Sequence, residues 1–216
     1  MPRTKRPHEA VDPRKRPLQR RSRSTVEVIL EAAAQVLERD GYAASTTDVI
    51  AERAGVSIGS LYQYFPNKDA VLLALTQQHA EAARAVLEPL LAEIVDGTPP
   101  VTPWLQRFVR AVVELNGRRP RLHQILFEET PFPPETMEEM YRAGELIIGI
   151  LESYLARASD VAVDNPRLAA YLLFRTVGGV IHAGVVRRPP ELTMQDCGEE
   201  LILLLSRYLT GPAKTG

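Results

Sequence analysis

Residues 55–59 read Gly-Val-Ser-Ile-Gly, the Gly-x-Ser-x-Gly spacing that presents a nucleophilic serine in hydrolases. That chemistry needs a strand feeding the turn and a base delivered from a later loop. Here the residues before Gly55 have helical spacing, and no stretch of the chain has the alternation of a strand. The four histidines, His8, His79, His123 and His182, show no His-Glu-x-x-His spacing, and a single cysteine excludes Cys-x-x-Cys, so no metal site is expected. Gly178-Gly179 sits in a helical pattern with no strand before it, which argues against a dinucleotide loop and for close helix packing. No catalytic reading survives, and no cofactor is expected. A different chemistry remains at residues 57–64, where Ser57, Ser60, Tyr62, Gln63 and Tyr64 offer hydroxyl and amide groups suited to base edges and phosphates.

The elements that must position these groups are helices. Val26, Ile29, Leu30, Ala33, Val36 and Leu37 form one stripe, closed by Gly41 where a helix C-terminus favours positive φ. The Ser-Thr-Thr run at 45–47 opens a short helix from Thr47 to Ala54, with Thr46 as a hydroxyl cap. Gly55 interrupts it, and Ser57 caps a second short helix at 58–64, ending before Pro66. Asn67 then opens a long helix from Lys68 towards Ile94, in which Pro89 predicts a kink or break. Further helices are expected at about 104–116, 121–128, 135–158, 166–186 and 192–209, separated by loops rich in Pro and Gly. The fold class is all-α, with a small N-terminal unit and a larger helical one.

Two short helices around Ala54-Gly55-Val56-Ser57 make a helix–turn–helix, with Val49, Ile50, Ala54, Val56 and Leu61 as its hinge core. In such motifs the N-terminal end of the second helix meets base edges in the major groove, and here that end is Ser57-Ile58-Gly59-Ser60. Residues 22–75 resemble the DNA-binding domain of the tetracycline-repressor (TetR) family of bacterial transcription regulators. The likeness rests on the Thr-Thr pair, Ile50-Ala51, Ala54-Gly55-Val56-Ser57, Gly59-Ser60-Leu61-Tyr62, Tyr64-Phe65 and Asn67-Lys68-Asp69, preceded by a helix ending in Gly41-Tyr42. The resemblance implies a three-helix head on operator DNA as a homodimer, and a C-terminal domain that dimerises and holds a small-molecule effector. By position it makes Thr47, Ser57, Ile58, Gly59, Ser60 and Gln63 base or near-base contacts, and Tyr62, Tyr64 and Lys68 phosphate contacts. Asp48 departs from the pattern, since an acid beside phosphates is repelled unless it points away or reads a cytosine amino group.

The formal charge of −1 hides a split. Residues 1–24 carry nine Lys or Arg against Glu9 and Asp12, a net of +7, and the rest of the chain nets −8. A basic, proline-rich arm on an acidic body points to a polyanionic partner. The head itself is acidic, with Arg39, Arg53 and Lys68 against seven Asp or Glu over residues 25–80, so Arg20, Arg21 and Arg23 are expected to supply phosphate contacts. One cysteine, Cys197, leaves no internal disulfide, and runs such as 146–151 and 201–205 are too short to span a bilayer. The expectation is a soluble cytoplasmic protein with no membrane partner. The expected organisation is an arm at 1–21, a helix–turn–helix domain at 22–75, an effector-binding and dimerisation domain at 76–210, and a tail at 211–216.

In the larger domain, pocket-lining candidates are Trp104, Phe108, Val112, His123, Phe127, Tyr141, Ile148, Phe174 and His182, against a plain core role for each. Helices 166–186 and 192–209 carry more apolar surface than one buried stripe requires. Leu168, Leu172, Val180, Ala183, Leu201, Leu204, Leu205 and Tyr208 are therefore candidates for a dimer interface, unless both helices simply close the monomer core. Two other readings remain open: a helical dimeric interaction protein using its arm on nucleic acid without sequence preference, and a regulator with no ligand.

Overall fold

A computed structural model describes residues 20–130 and 132–211. Among these there are nine α-helices, one short π-helical segment and no strand. They form two compact units, residues 20–79 with 125–130, and residues 80–124 with 132–211. The first holds α1 (Arg20–Ala44), α2 (Thr47–Ala54), α3 (Ile58–Tyr64), the start of α4 (Lys68–Asp96) and the π segment Ile125–Glu129. The second holds the rest of α4, α5 (Val101–Gly117), α6 (Pro120–Gln124), α7 (Pro134–Leu155), α8 (Pro166–Arg187) and α9 (Met194–Thr210).

The head is built by local rules that the chain follows closely. Ile29, Leu30, Ala33, Val36 and Leu37 of α1 bury one face, joined by Ile50, Leu61, Phe65 and the Ala70–Leu73 run, with Ile125 and Leu126 from the π segment in the same unit. Of the expected hinge core, Ile50 and Leu61 are buried, and Val49, Ala54 and Val56 are half-buried. α1 breaks at Gly41, whose φ of 76° and ψ of 175° lie in a region essentially closed to side chains. Thr46 accepts from the Val49 amide at 3.3 Å, and Ser57 accepts from the Ser60 amide at 3.1 Å, so each short helix begins on a hydroxyl. Gly55, at φ 66° and ψ 28°, ends α2 in the left-handed conformation, with the Val56 amide returning to Ala51 O at 3.0 Å.

In the second unit Pro89 does not end α4, which continues to Asp96. The proline is exposed, as is Ala85, whose carbonyl it leaves without an amide, and tertiary bonds hold the following turns. Trp104 Nε1 donates to Leu90 O at 2.9 Å, and Arg157 donates to Ile94 O at 2.9 Å. Trp104 stacks on Phe108 with centroids 5.1 Å apart and meets Tyr154 at 5.4 Å, forming the aromatic centre of this core. The Tyr154 hydroxyl donates to Pro99 O at 2.7 Å, and burial pushes its ionisation well above the ordinary phenol range. α5 starts three residues earlier than the spacing suggests because Asp160 accepts from the Val101 amide at 2.8 Å.

α8 is long and apolar enough to cross a membrane by length and composition, with a mean hydropathy of 1.5 in its richest window. It packs against α5, α6, α7 and α9 of its own unit. A Cβ on Gly184 would come within 3.0 Å of Met194 Sδ, and one on Gly198 within 2.9 Å of Val113, so these two glycines allow close packing. Gly178 and Gly179 do not act that way within the described residues: a Cβ on either would meet nothing within 4 Å.

Candidate nucleic-acid interface and ligand-facing surfaces

α2 and α3 bring most of the DNA-contact candidates onto one stretch of surface. Ser57, Gly59, Tyr62 and Gln63 are exposed, while Thr47, Ile58, Ser60 and Tyr64 are half-buried. The hydroxyls of Thr47 and Tyr62 lie 3.1 Å apart, tying the first turn of α2 to the middle of α3. Those of Ser57 and Ser60 are 2.8 Å apart, so the N-terminal end of α3 carries a prearranged hydroxyl pair. A Cβ on Gly59 would meet only Ser57 Oγ at 3.9 Å, so nothing in the described protein requires a bare backbone there. Ser57 is a helix cap with its oxygen already committed, which is how a Gly-x-Ser-x-Gly match arises without an elbow.

Lys68 is held rather than free. Its ammonium donates to Tyr42 O at 2.9 Å and lies 3.6 Å over the Tyr42 ring. Tyr42 in turn donates to Asp69 at 3.3 Å, and burial, with that carboxylate second, raises the phenol above its usual range. The end of α1 is thereby locked to the start of α4. Asp48 is exposed in the first turn of α2, where an acid complements the positive helix end. The clasp of Arg53 on Gln35, which joins α2 to α1, has no mark in the sequence beyond the two residue types. Arg20, Arg21 and Arg23 belong to the first turns of α1, and residues 1–19 lie outside the described residues.

The ligand candidates separate into several places. Phe108, Val112 and Phe174 line one cavity of about 350 Å³ in the second unit, together with Leu87, Arg175, Val177, Gly178 and Gly179. Trp104 and Ile148 are fully buried core. His123 and His182 come together, Nε2 to Nδ1 at 3.1 Å, with His123 buried. Tyr141 is exposed in a surface hollow with Glu138, Arg142, Glu145, Leu146 and Arg167. Phe127 belongs to the first unit, edge-on to His79 at 5.6 Å. Arg175 escaped the sequence reading, yet it has a signal: it is the one formal charge between Leu168 and Val186.

The dimer candidates also divide. Leu201 and Leu205 are only 4% and 3% exposed and close the core of their own unit. Leu168, Leu172, Val180, Leu204 and Tyr208 are exposed, joined by Tyr171 and Leu203, and Ala183 is exposed as well. Leu203, Leu204, Val180, Thr176 and Cys197 border a shallow apolar groove between α8 and α9.

Comparison with known proteins fits this arrangement. Residues 29–75 match the model described as bacterial regulatory proteins, tetR family, and residues 100–209 match a tetracyclin repressor-like C-terminal domain. The HTH-type transcriptional repressor KstR of Mycolicibacterium smegmatis is 35% identical over 156 residues, 70% of each chain. The HTH-type transcriptional activator FasR of the same species is 45% identical over 143 residues, 66% of this chain and 64% of that one. Among solved structures, NalD, the secondary repressor of the MexAB-OprM multidrug efflux pump in Pseudomonas aeruginosa, superposes with a TM-score of 0.66 at 24% identity, covering 90% of this chain and 98% of its own. A helix–turn–helix with a hydroxyl-rich second helix, a separate all-helical unit, and models matching both parts lead to one assignment: the chain belongs to the tetR family of bacterial regulatory proteins.

Proposed function

We propose that this chain is a ligand-responsive DNA-binding transcriptional regulator, a cytoplasmic homodimer that represses by reading a palindromic operator and is released by a small-molecule effector. The observation that carries the reading is the exposed polar row on α3, fixed by caps at both of its borders and backed by a buried core. Thr47, Ser57, Ile58, Gly59, Ser60 and Gln63 serve as base or near-base contacts, and Tyr62, Tyr64 and Lys68 meet phosphates. Arg20, Arg21 and Arg23, with the arm at 1–21, supply the counter-ion release that an acidic head lacks. Residues 22–75 act as the head and 76–210 as the body, leaving 211–216 as a tail. The exposed face of α8 and α9 is the dimer surface, and two heads about one DNA turn apart explain why the operator is palindromic. The effector acts by preferring one head spacing, transmitted along α4, whose residues belong to both units.

The test is fluorescence anisotropy of the full chain on DNA from upstream of its own gene, against a shuffled duplex, at about physiological ionic strength. A preference of about a thousandfold establishes specific reading. Equal weak binding to both, repeated on pools selected from random DNA, overturns it. That result favours a helical dimeric interaction protein that binds nucleic acid nonspecifically through its arm, a reading supported by the acidic head and by Asp48.

A further inference from the structure

We propose that the 350 Å³ cavity of the second unit takes an amphipathic anion, an apolar chain with a carboxylate or phosphate head, and that Arg175 receives the head. This rests on the regulator reading and names the chemical class of its effector. The walls are Leu87, Phe108, Val112, Phe174 and Val177, which offer no polar side chain, so a ligand body bound there is apolar. The volume lies at the small end of ligand sites, sufficient for a medium-length chain.

Arg175 supplies the polarity. Arg84, Arg107, Arg110, Arg118, Arg142 and Arg167 of the same unit each hold a carboxylate of their own chain. Arg175 is exposed and, like Arg187 and Arg207, makes no ion pair among the described residues; of the three it alone lines this cavity, and its guanidinium lies 5.6 Å from the Tyr171 ring centre and 5.8 Å from that of Phe174. The two rings flank the guanidinium at the cavity while leaving its donors available, and a guanidinium fork matches carboxylate and phosphate geometry. It is also the only formal charge in a run of 19 residues otherwise apolar or neutral, from Leu168 to Val186.

The glycines give an independent argument. Gly178 and Gly179 lie inside α8, where glycine weakens a helix relative to alanine, and neither has positive φ. Nothing in the described chain lies within 4 Å of a Cβ placed on either, so packing does not exclude a side chain. Both are exposed residues that line the cavity, so a side chain on either would add to its wall. A Cβ on Gly144 would approach the ring of the wall residue Phe174 at 3.3 Å, so α7 packs closely against it.

The probes are decanoate and decyl phosphate as anions, decanol as the neutral control and decyltrimethylammonium as the cation. Each is titrated into the full chain by calorimetry and by the fluorescence of Trp104, the single tryptophan, which stacks on the wall residue Phe108. At least one anion binds about tenfold more tightly than decanol, the cation does not bind, and R175Q removes the anion's advantage while leaving decanol unchanged. Which anion wins identifies the head group. Gly178→Ala raises Tm and weakens every ligand that enters the cavity, a combination that misfolding cannot produce. The proposal is overturned if neither anion binds, if decanol or the cation binds as well, or if R175Q has no effect. Operator affinity of the same proteins is measured without ligand. Intact operator preference with no anion binding rejects this inference alone, and lost operator preference with Arg175-dependent anion binding rejects only the regulator reading.

Discussion

The two surfaces proposed here to meet other molecules are opposite in kind. The row on α2 and α3 is polar, and its hydroxyls already satisfy one another: Thr47 with Tyr62, and Ser57 with Ser60. The face of α8 and α9 is apolar, with Leu204 60% exposed and Leu168, Leu172 and Tyr208 each more than a third. A polar row costs little in water and gains only when a partner offers matching groups, so it suits an encounter that must be reversible. An exposed apolar face loses free energy in water at about 25 cal/mol per Å² and suits a standing contact. The comparison therefore assigns selectivity to the first surface and persistence to the second, and each assignment can be broken separately.

Breaking the apolar face has the largest effect. Leu204→Glu places a charge at the most exposed leucine of α9 without touching the buried Leu201 and Leu205. The subunits dissociate in sedimentation analysis, helicity by circular dichroism is retained, and operator affinity falls about a thousandfold as one of two half-sites is lost. A variant that remains dimeric assigns the interface to another face.

Next come the turns that hold the polar row. Gly41→Ala forces a side chain into a backbone region that is essentially glycine's alone, and costs about 2–3 kcal/mol. Gly55→Ala meets no steric neighbour and pays only for its left-handed φ, about 1 kcal/mol. Thermal unfolding of the two variants ranks them. Equal losses remove the distinction between a kinked α1 and an ordinary helix cap.

Within the row, Gln63 and Tyr62 sharpen the division between reading and holding. Gln63 is exposed and its amide suits a bidentate bond to a base edge, so Gln63→Ala costs about 1–2 kcal/mol on the operator and nothing on a shuffled duplex. Tyr62→Phe removes a phosphate donor and weakens both duplexes alike, by less than about 1 kcal/mol. The reverse pattern in parallel anisotropy titrations exchanges the two roles.

Why one surface was legible in the sequence and the other only half so follows from where each is specified. In the head each landmark has a local cause: Thr46 and Ser57 cap the helix that follows them, Gly41 and Gly55 take the backbone angles that end one, and Leu61 fills the hinge. The spacing alone carries those facts. The body depends on partners distant in the chain. Leu201 and Leu204 are equally apolar in sequence, and only packing against α5 and α8 makes the first a core residue and the second surface. Pro89 reads as a break because the bonds from Trp104 and Arg157 that hold the next turns are long-range. The segment expected as a helix at 121–128 divides into α6 and a π segment that belongs to the other unit, a change no periodicity announces. His123 and His182 are 59 residues apart, and their meeting has no sequence signature at all.

The smallest effect separates the two units by acid. Helix starts in the head use Thr46, Ser57 and Asn67, whose hydroxyl and amide groups do not titrate. α9 in the body starts on a capping box in which Thr193 accepts from the Asp196 amide at 3.0 Å and Asp196 accepts from both the Thr193 amide and hydroxyl at 2.7 Å. Hydrogen bonds from the Thr193 side chain, then from its backbone, hold the Asp196 carboxyl below its ordinary range, against a small opposing effect of burial and with help from Arg188. Because the folded value is depressed, this cap stabilises α9 fully above the ordinary carboxylate range, near pH 4, and the contribution is lost as pH falls through the lower folded value. Amide exchange, corrected for intrinsic rate, should therefore show the first turn of α9 losing protection below about pH 4 while the first turns of α2 and α3 keep theirs. Asp196→Asn should remove that pH dependence without unfolding the helix, since an amide oxygen still accepts from Thr193. If the three helix starts loosen together, acid acts on the fold as a whole through other carboxylates, and the cap of α9 is not the site at which the body responds first.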